Sequence, residues 1–229
     1  GRNLFVTTSS FITLAAAVTI HHHMNNSILA DEIETIKSKQ QQIKKKTTIN
    51  KFGFDPLVDF QDMRVFSGTA NKALAEEIAD HLGVNLGKIS INKFADGEIG
   101  IQVHENVRGK DVYLVQPTCP PGVNDKLMEL ILLVSTMRRA SARKITCIIP
   151  YYGYARQDRK LQSRVPISAA DVAAMLQSVG VDRVIATDLH CGQISGFFGP
   201  RTPCDNLEGH VVALDFFKEQ GLESDKTIV

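Results

Sequence analysis

The distribution of apolar residues divides the chain near residue 62. From Met63 onward, short apolar runs alternate with segments in which apolar residues recur every three or four positions. Short runs are typical of buried strands, and the wider spacing is typical of amphipathic helices. Residues 1–62 lack this alternation. We therefore expect an extension over residues 1–62, either a targeting segment or disordered, and a folded domain over residues 63–229.

Strands and helices are predicted to alternate along this domain. Predicted strands begin at Met63, Ile89, Asp111, Lys144 and Arg183. Predicted helices are one capped by Thr69 that ends at Leu82, and others over 125–140, 167–179 and 211–220. Because the strand runs are continuously apolar and alternate with helices, the pattern predicts an α/β fold with a mostly parallel sheet.

Composition narrows the choice of function classes. Hydrophobic residues make up 43% of the 229 residues and charged residues 22%, as in ordinary globular proteins. The formal net charge of +1 gives no support for a nucleic-acid or membrane partner. The four cysteines lack CxxC or zinc-site spacing, which is typical of reduced thiols in an intracellular protein. The apolar run over residues 11–20 is too short for a bilayer, which needs roughly 20 residues.

The loops that follow strands are the candidate binding segments, because ligands bind beyond the carboxyl ends of parallel strands. The first such loop contains Phe94, Asp96, Gly97 and Glu98. Its aromatic ring can stack on a planar base, its carboxylates can accept hydrogen bonds, and glycine lets the backbone approach a ligand. Taken alone, however, this loop favours an exposed turn between two strands.

The second loop, over residues 151–164, is dense in cations. They are Arg156, Arg159, Lys160 and Arg164. Guanidinium groups bind phosphate oxygens in pairs, and lysine supplies a point charge. The loop therefore favours a phosphate site over a plain solvated loop. Its three tyrosines leave an RNA-binding module open as an alternative.

The third loop holds Asp188 and His190, at the predicted end of the fifth strand. Side chains two positions apart in a strand face the same side, so the two are predicted to point at one ligand. A carboxylate and an imidazole can bind a divalent ion carried by a nucleotide. A buried hydrogen bond between them is equally compatible with the pattern. No GxxxxGK[ST] motif occurs, which excludes a P-loop kinase.

These loops coincide with the most specific motifs of a known family. The runs KFADGEIG, YARQDRK, SRVPIS and DLHCGQISGFF resemble ribose-phosphate pyrophosphokinases, and the resemblance extends from about Met63 to Val229. It implies a parallel-sheet, phosphoribosyltransferase-like domain with helices on both faces. The implied reaction transfers the diphosphoryl group of ATP to C1 of ribose 5-phosphate, for nucleotide biosynthesis. The alternative within this resemblance is a non-catalytic regulatory subunit.

The resemblance also implies roles for individual residues. The adenosine of ATP would be held by Phe94, Asp96, Gly97 and Glu98 of a neighbouring subunit, and ATP within the subunit by Arg156 and Gln157. The phosphates, or a regulatory site at which phosphate activates, would be bound by Arg159, Lys160, Ser163 and Arg164. His190 would be catalytic and bind Mg²⁺-ATP, with Asp188 beside it and Asp205 as a weaker metal ligand.

The implied partners are Mg²⁺, ATP, ribose 5-phosphate and copies of the same chain, in a hexamer built from dimers. The implied location is the cytoplasm, or an organelle if residues 1–62 act as a transit peptide. The chain departs from the family pattern at Gly199, where an aspartate is usual, and at Gly192 and Ser195, which puts the usual feedback regulation in question. The family's acidic ribose 5-phosphate loop, DDxxDTxGT, does not occur here. We therefore expect an N-terminal half that is inactive alone.

Overall fold

The computed structural model describes residues 62–220. The strands of this part are β1 (Met63–Ser67), β2 (Ile89–Lys93), β3 (Ile99–Val103), β4 (Asp111–Val115), β5 (Lys144–Ile149), β6 (Arg183–Thr187) and β7 (Cys204–Leu207). The helices are α1 (Lys72–Leu82), α2 (Val123–Arg139), α3 (Ser168–Ser178) and α4 (His210–Glu219), with a 3-10 helix over Gly192–Phe197. The predicted extension lies outside these residues except for Asp62, which forms an ion pair with Lys110 at 2.6 Å.

Five strands form one parallel sheet in the order β1-β4-β5-β6-β7. Each neighbouring pair is parallel, and Val112 of β4 pairs with Arg64 on one side and Ile145 on the other. The carboxyl ends of all five strands therefore lie along a single edge. The predicted α/β class with a mostly parallel sheet is confirmed.

Helices cover both faces of the sheet, because side chains along a strand alternate between its faces. On β4, Val112 and Leu114 belong to the main core, which also contains Leu130 of α2 and residues of α3. Val115 points the other way, into a smaller cluster with Ala75 of α1. All five side chains are buried. Burying a leucine completely contributes about 1.5–3 kcal/mol, so these two clusters hold the helices on the sheet.

The first helix does not begin as the sequence predicts. Its N-cap is Asn71, whose side chain accepts a hydrogen bond from the backbone N–H of Leu74 at 3.1 Å. The prediction that Thr69 caps the helix is wrong, because the backbone N–H and hydroxyl of Thr69 both donate to Glu129 at 2.6 Å. The helix ends as expected at Gly83, which adopts the left-handed conformation with φ of 67°.

Two strands were not predicted from the sequence, and one predicted strand has an unexpected partner. Strand β2 lies outside the parallel sheet and pairs with β3 as an antiparallel hairpin. The alternation of Ile99, Ile101 and Val103 is a recognisable strand signal. Strand β7, at Cys204–Leu207, has no comparable apolar run and forms the sheet edge beside β6.

Two further expectations concern cysteines and membranes. Cys119, Cys147, Cys191 and Cys204 are all free thiols in the structure. Among the helices within residues 62–220, none combines the length and the apolar character needed to cross a membrane.

Candidate functional site

The second and third predicted loops are neighbours at the carboxyl edge of the sheet. Strands β5 and β6 pair directly, with Ile149 opposite Ala186. The loop over residues 151–164 follows β5, and the turn that contains Asp188 and His190 follows β6. Parallel pairing therefore places the predicted phosphate-binding and metal-binding groups side by side.

The start of the loop after β5 is anchored through its tyrosines. Tyr152 is 5% exposed, and its hydroxyl donates to the carbonyl of Ala169 at 3.1 Å. Burial raises the pKa of Tyr152, so the phenol stays a neutral donor. Tyr154 donates to the side chain of Asn124 at the start of α2. Only Tyr151 of the three is largely exposed, which weakens the RNA-binding alternative because stacking on bases needs free ring faces.

The polar side chains of this loop face solvent. The exposed residues are Arg156, Gln157, Arg159, Lys160, Ser163 and Arg164. Within the described part of the chain, no hydrogen bond or ion pair engages the charged groups of Arg156, Lys160 or Arg164. The carboxamide oxygen of Gln157 accepts a hydrogen bond from the hydroxyl of Ser168 at 2.5 Å. The loop therefore presents unpaired cations beside an oriented amide.

The turn after β6 has a different geometry from the predicted one. The strand ends at Thr187, and Asp188 has a φ of +45°. The argument that Asp188 and His190 share one face of a strand is therefore wrong. Both residues are exposed, and no hydrogen bond joins them, so the alternative of a buried pair is also absent. One oxygen of Asp188 accepts from the backbone N–H of Gly209 at 2.9 Å.

The metal candidates are only partly brought together. Asp205 pairs with Arg183 at 2.5 Å near the amino end of its strand, away from Asp188. No group of three or more metal-binding side chains occurs within residues 62–220. Asp188 and His190 thus remain the two candidate ligands. The carboxylate of Asp188 fits Mg²⁺, which proteins commonly hold through one or two carboxylates while substrate phosphates and water complete its shell. The imidazole of His190 is not a preferred Mg²⁺ ligand, but it can donate a hydrogen bond to a phosphate that carries the ion.

Asp158 connects the two loops, although the sequence did not single it out. Its side chain is nearly buried, at 8% exposure. One carboxylate oxygen accepts hydrogen bonds from the thiol of Cys191 at 2.8 Å and from the amide of Gln193 at 3.1 Å. The bond from Cys191 lowers the pKa of Asp158, although burial opposes this effect. The carboxylate therefore stays ionised between the cationic loop and the His190 turn.

The first predicted loop is the exposed turn of the β2–β3 hairpin, as its sequence alone favoured. Phe94 is 61% exposed, and its ring covers Gly100 so closely that a Cβ there would lie 2.9 Å from a ring carbon. Gly97 has a φ of +93°, which favours glycine. Asp96 accepts a hydrogen bond from the backbone N–H of Glu98 at 3.0 Å and so fixes the turn.

The hairpin turn does not reach the other two loops directly. Within residues 62–220, no hydrogen bond or ion pair joins residues 94–98 to residues 151–164. Their nearest common support is the start of α2, where Asp125 pairs with Lys93 at 2.6 Å and Asn124 accepts from Tyr154. The structure therefore brings the second and third loops together and leaves the first apart.

Two cavities lie beside the hairpin rather than at these loops. One, of about 920 Å³, separates α1 from the hairpin, and the other, of about 290 Å³, lies between the hairpin and α2. Neither is lined by any residue predicted to bind ATP, phosphate or metal. We place the candidate site on the loops after β5 and β6, where exposed cations, a carboxylate and an imidazole lie side by side. The two cavities have a suitable shape, but a concave shape alone does not bind phosphate.

Comparisons with known proteins agree on one family. Residues 63–180 match the family model for the N-terminal domain of ribose phosphate pyrophosphokinase. A ribose-phosphate pyrophosphokinase of Helicobacter pylori is 52% identical over 161 residues, which are 70% of this chain and 50% of that protein. The chloroplastic ribose-phosphate pyrophosphokinase 5 of Arabidopsis thaliana is 52% identical over 167 residues, which are 73% of this chain and 42% of that protein.

A solved structure supports the same relationship. The crystal structure of phosphoribosylpyrophosphate synthetase from Mycobacterium smegmatis matches with a TM-score of 0.66 and 38% identity, over 69% of this chain and 52% of that chain. The chain thus spans about half the length of the relatives that it matches.

Proposed function

Because the chain belongs to the ribose-phosphate pyrophosphokinase family, we propose that it supplies the ATP-binding side of a ribose-phosphate diphosphokinase. This enzyme makes phosphoribosyl pyrophosphate and AMP from ATP and ribose 5-phosphate, for nucleotide biosynthesis. One observation carries the proposal: unpaired cations and the Asp188–His190 turn lie side by side at the carboxyl edge of the sheet. Such an edge is where α/β sheets bind their ligands.

The reaction depends mainly on positioning and charge. The C1 hydroxyl oxygen of ribose 5-phosphate attacks the β-phosphorus of ATP, and the bond from that phosphorus to the oxygen it shares with the α-phosphate breaks. AMP leaves with that oxygen, and the hydroxyl proton is released to solvent. Catalysis of phosphoryl transfer rests on alignment and on neutralising phosphate charge, so a protein needs fixed cations more than a nucleophile.

The loop after β5 provides these cations in the proposal. Arg156 binds phosphate oxygens of ATP through its guanidinium, and Gln157, held by Ser168, donates its amide to the nucleotide. Four further residues bind either the phosphates of ATP or a regulatory phosphate that activates the enzyme; they are Arg159, Lys160, Ser163 and Arg164. All four are exposed, so phosphate can reach them without rearrangement of the core.

The turn after β6 binds the metal-nucleotide in the proposal. Mg²⁺ bound with ATP would neutralise part of the phosphate charge. His190 is the catalytic candidate because its exposed imidazole can donate to, or coordinate with, the bound Mg²⁺-ATP. Asp188 offers its second carboxylate oxygen, since its first is held by Gly209. Asp205 is left out of this set because Arg183 already neutralises it.

The hairpin turn serves a neighbouring copy of the chain in the proposal. Phe94 stacks on adenine, and the carboxylates of Asp96 and Glu98 accept from the nucleoside, with Gly97 allowing close approach. The exposure of Phe94 and its separation from the other loops support this arrangement. This arrangement requires a homo-oligomer, and we propose a hexamer built from dimers. We place the enzyme in the cytoplasm, or in an organelle if residues 1–62 direct it there.

Calorimetric titration with Mg²⁺-ATP tests the proposal. Arg156→Ala should lose about 1.5–3 kcal/mol of binding free energy, the range for a hydrogen bond to a charged group. Arg139→Ala is the matched control, because Arg139 is equally exposed but ends α2 at the opposite edge of the sheet. Equal affinity of both variants and the wild type would remove the nucleotide from this loop.

Release of AMP that depends on ribose 5-phosphate tests the activity itself. We expect none from residues 1–229 alone, because the acidic loop that would bind the acceptor does not occur in them. Rapid release from this chain would show that the acceptor site lies within it. A longer protein carrying this chain that binds Mg²⁺-ATP but releases no AMP would favour the non-catalytic regulatory subunit.

A further inference from the structure

Asp158 differs from every other charged residue of the loop after β5. Its neighbours Gln157 and Arg159 are exposed, whereas its own side chain is turned inward and is 8% exposed. An ionised carboxylate is costly to bury unless hydrogen bonds replace its water. The partners of Asp158 therefore indicate what its burial achieves.

Those partners come from the His190 turn and not from the loop itself. The thiol of Cys191 donates at 2.8 Å and the amide of Gln193 donates at 3.1 Å, to the same carboxylate oxygen. Cys191 is the residue after His190, and Gln193 lies in the 3-10 helix that follows. The carboxylate also interacts electrostatically with Arg159, which is 4.0 Å away, and with His190. The carboxylate thus fastens the downstream side of the turn to the cationic loop.

The upstream side of the same turn is fastened separately. Asp188 accepts from the backbone N–H of Gly209 at 2.9 Å, and the backbone N–H of Leu189 donates to the side chain of Asn206 at 3.0 Å. His190 itself is exposed and has no hydrogen bond to the described residues. Its position therefore depends on the anchors on either side, of which only Asp158 belongs to the loop that carries Arg156.

We propose that Asp158 is a positioning residue that holds the His190 turn in register with the phosphate-binding loop. The inference rests on the proposed function, because it assigns His190 and Arg156 to one Mg²⁺-nucleotide. A carboxylate suits this task because it accepts from two donors at once and is linked to Arg156 through a single intervening residue. Loss of the carboxylate frees the turn, so that the two loops no longer bind one ligand together.

Binding of Mg²⁺-ATP, measured by calorimetry on the full chain in two backgrounds, tests this role. Asp158→Ala should weaken binding at least 10-fold in the wild type but less than 2-fold in a His190→Ala background, because the effect passes through His190. Asp158→Asn keeps an acceptor oxygen and should restore part of the loss. Gln193→Met removes one donor at similar side-chain volume, and its loss of Mg²⁺-ATP affinity should depend on His190 in the same way. This variant replaces Asp158→Ala in the test if Asp158→Ala fails to fold.

Thr202→Val is the matched control for a purely structural effect. Thr202 is also buried, and its hydroxyl donates to the carbonyl of Val181 at 3.0 Å before β6 begins, at the opposite edge. It should lower the melting temperature without changing affinity for Mg²⁺-ATP. Equal losses caused by Asp158→Ala in both backgrounds, or an equal loss caused by Thr202→Val, would overturn the proposal.

Alkylation of Cys191 without nucleotide gives a second readout, followed by mass spectrometry of the peptide that contains it. The hydrogen bond to Asp158 holds the thiol of Cys191 at 2.8 Å from a carboxylate oxygen, so Asp158→Ala should free this thiol and speed the reaction several-fold. An unchanged rate would overturn the contact. Failure of the proposed function can be told apart from failure of the Asp158 contact. If the proposed function is wrong, Arg156→Ala leaves the affinity for Mg²⁺-ATP unchanged, whatever the alkylation rate of Cys191.

Discussion

Replacing Glu129 with alanine should destabilise this domain strongly. Glu129 lies in α2 and is 4% exposed. One carboxylate oxygen accepts from the backbone N–H of Thr69 at 2.6 Å and from the amide of Gln116 at 2.9 Å. The other accepts from the hydroxyl of Thr69 at 2.6 Å. The side chain thus ties α2 to the ends of β1 and β4. Its removal leaves both donors of Thr69 without an acceptor and leaves the amide of Gln116 with only the carbonyl of Lys126, at 3.4 Å.

The size of the effect follows from these contacts. A hydrogen bond to a charged group contributes about 1.5–3 kcal/mol, but three such bonds are not additive, because water enters the space and the donors relax. A buried donor left without an acceptor costs about 1–3 kcal/mol, and because the costs of neighbouring donors do not add fully we take about 3–5 kcal/mol as the expected loss. At about 2–4 °C per kcal/mol for a domain of this size, the melting temperature should fall by about 6–20 °C.

Thermal unfolding followed by circular dichroism measures this loss. Glu77→Ala is the control, because Glu77 is exposed on α1 and surface substitutions change stability by about 0.5 kcal/mol or less. Glu129→Gln should fall between the two, since it keeps one acceptor oxygen. A melting temperature of Glu129→Ala within about 2 °C of the wild type would refute the reasoning, because it would mean that solvent replaces the three bonds at little cost.

Three further outcomes are expected. His190→Ala should reduce turnover in a complete enzyme without early melting, since its imidazole is exposed; early melting with normal specific activity would indicate a structural role. The hydrogen bond from Arg143 lowers the pKa of Asp111, so the ionised side chain stabilises the fold fully above its unfolded pKa of about 3.9. The difference in unfolding free energy between wild type and Asp111→Asn, measured in urea, should therefore shrink as pH falls below about 4. Cys147 is buried and its pKa is raised by burial, so iodoacetamide should label the partly exposed Cys119 and spare Cys147 until the protein unfolds.

Most of the parallel sheet could be predicted because its strands are buried on both faces. Such strands are continuous apolar runs, as in β4 and β5, and helices that alternate with them restrict the topology. The edge strand β7 escaped prediction because Cys204–Leu207 is specified by backbone pairing with β6 rather than by apolar side chains. Strand β2 has the same kind of apolar run as the strands of the parallel sheet, but such a run does not reveal which strand it pairs with.

The sequence allowed us to predict which residues make up the candidate site, but not how they are arranged. The cationic loop is visible in the sequence because charge needs no tertiary information. The strand argument for Asp188 and His190 failed because the chain leaves the strand after Thr187, where Asp188 takes a positive φ. Asp158 was overlooked because its partners lie more than 30 positions along the chain, so nothing local marks it as the buried member of a charged run.

Along the loop after β5, side chains that are buried and hydrogen-bonded alternate with side chains that face solvent. The buried side chains explain how an exposed loop can hold a fixed shape. Tyr152 and Asp158 point inward and are hydrogen-bonded, whereas Arg156 and Lys160 point outward without protein partners. The inward residues fix the backbone, so the positions from which the cations extend are already set when an anion arrives. A fixed backbone removes the cost of ordering the loop itself, so that binding has to overcome only the ordering of the side chains, about 0.5–1.5 kcal/mol for each long side chain that is immobilised. The affinity of this loop for phosphate should therefore depend as much on its buried residues as on its charged ones.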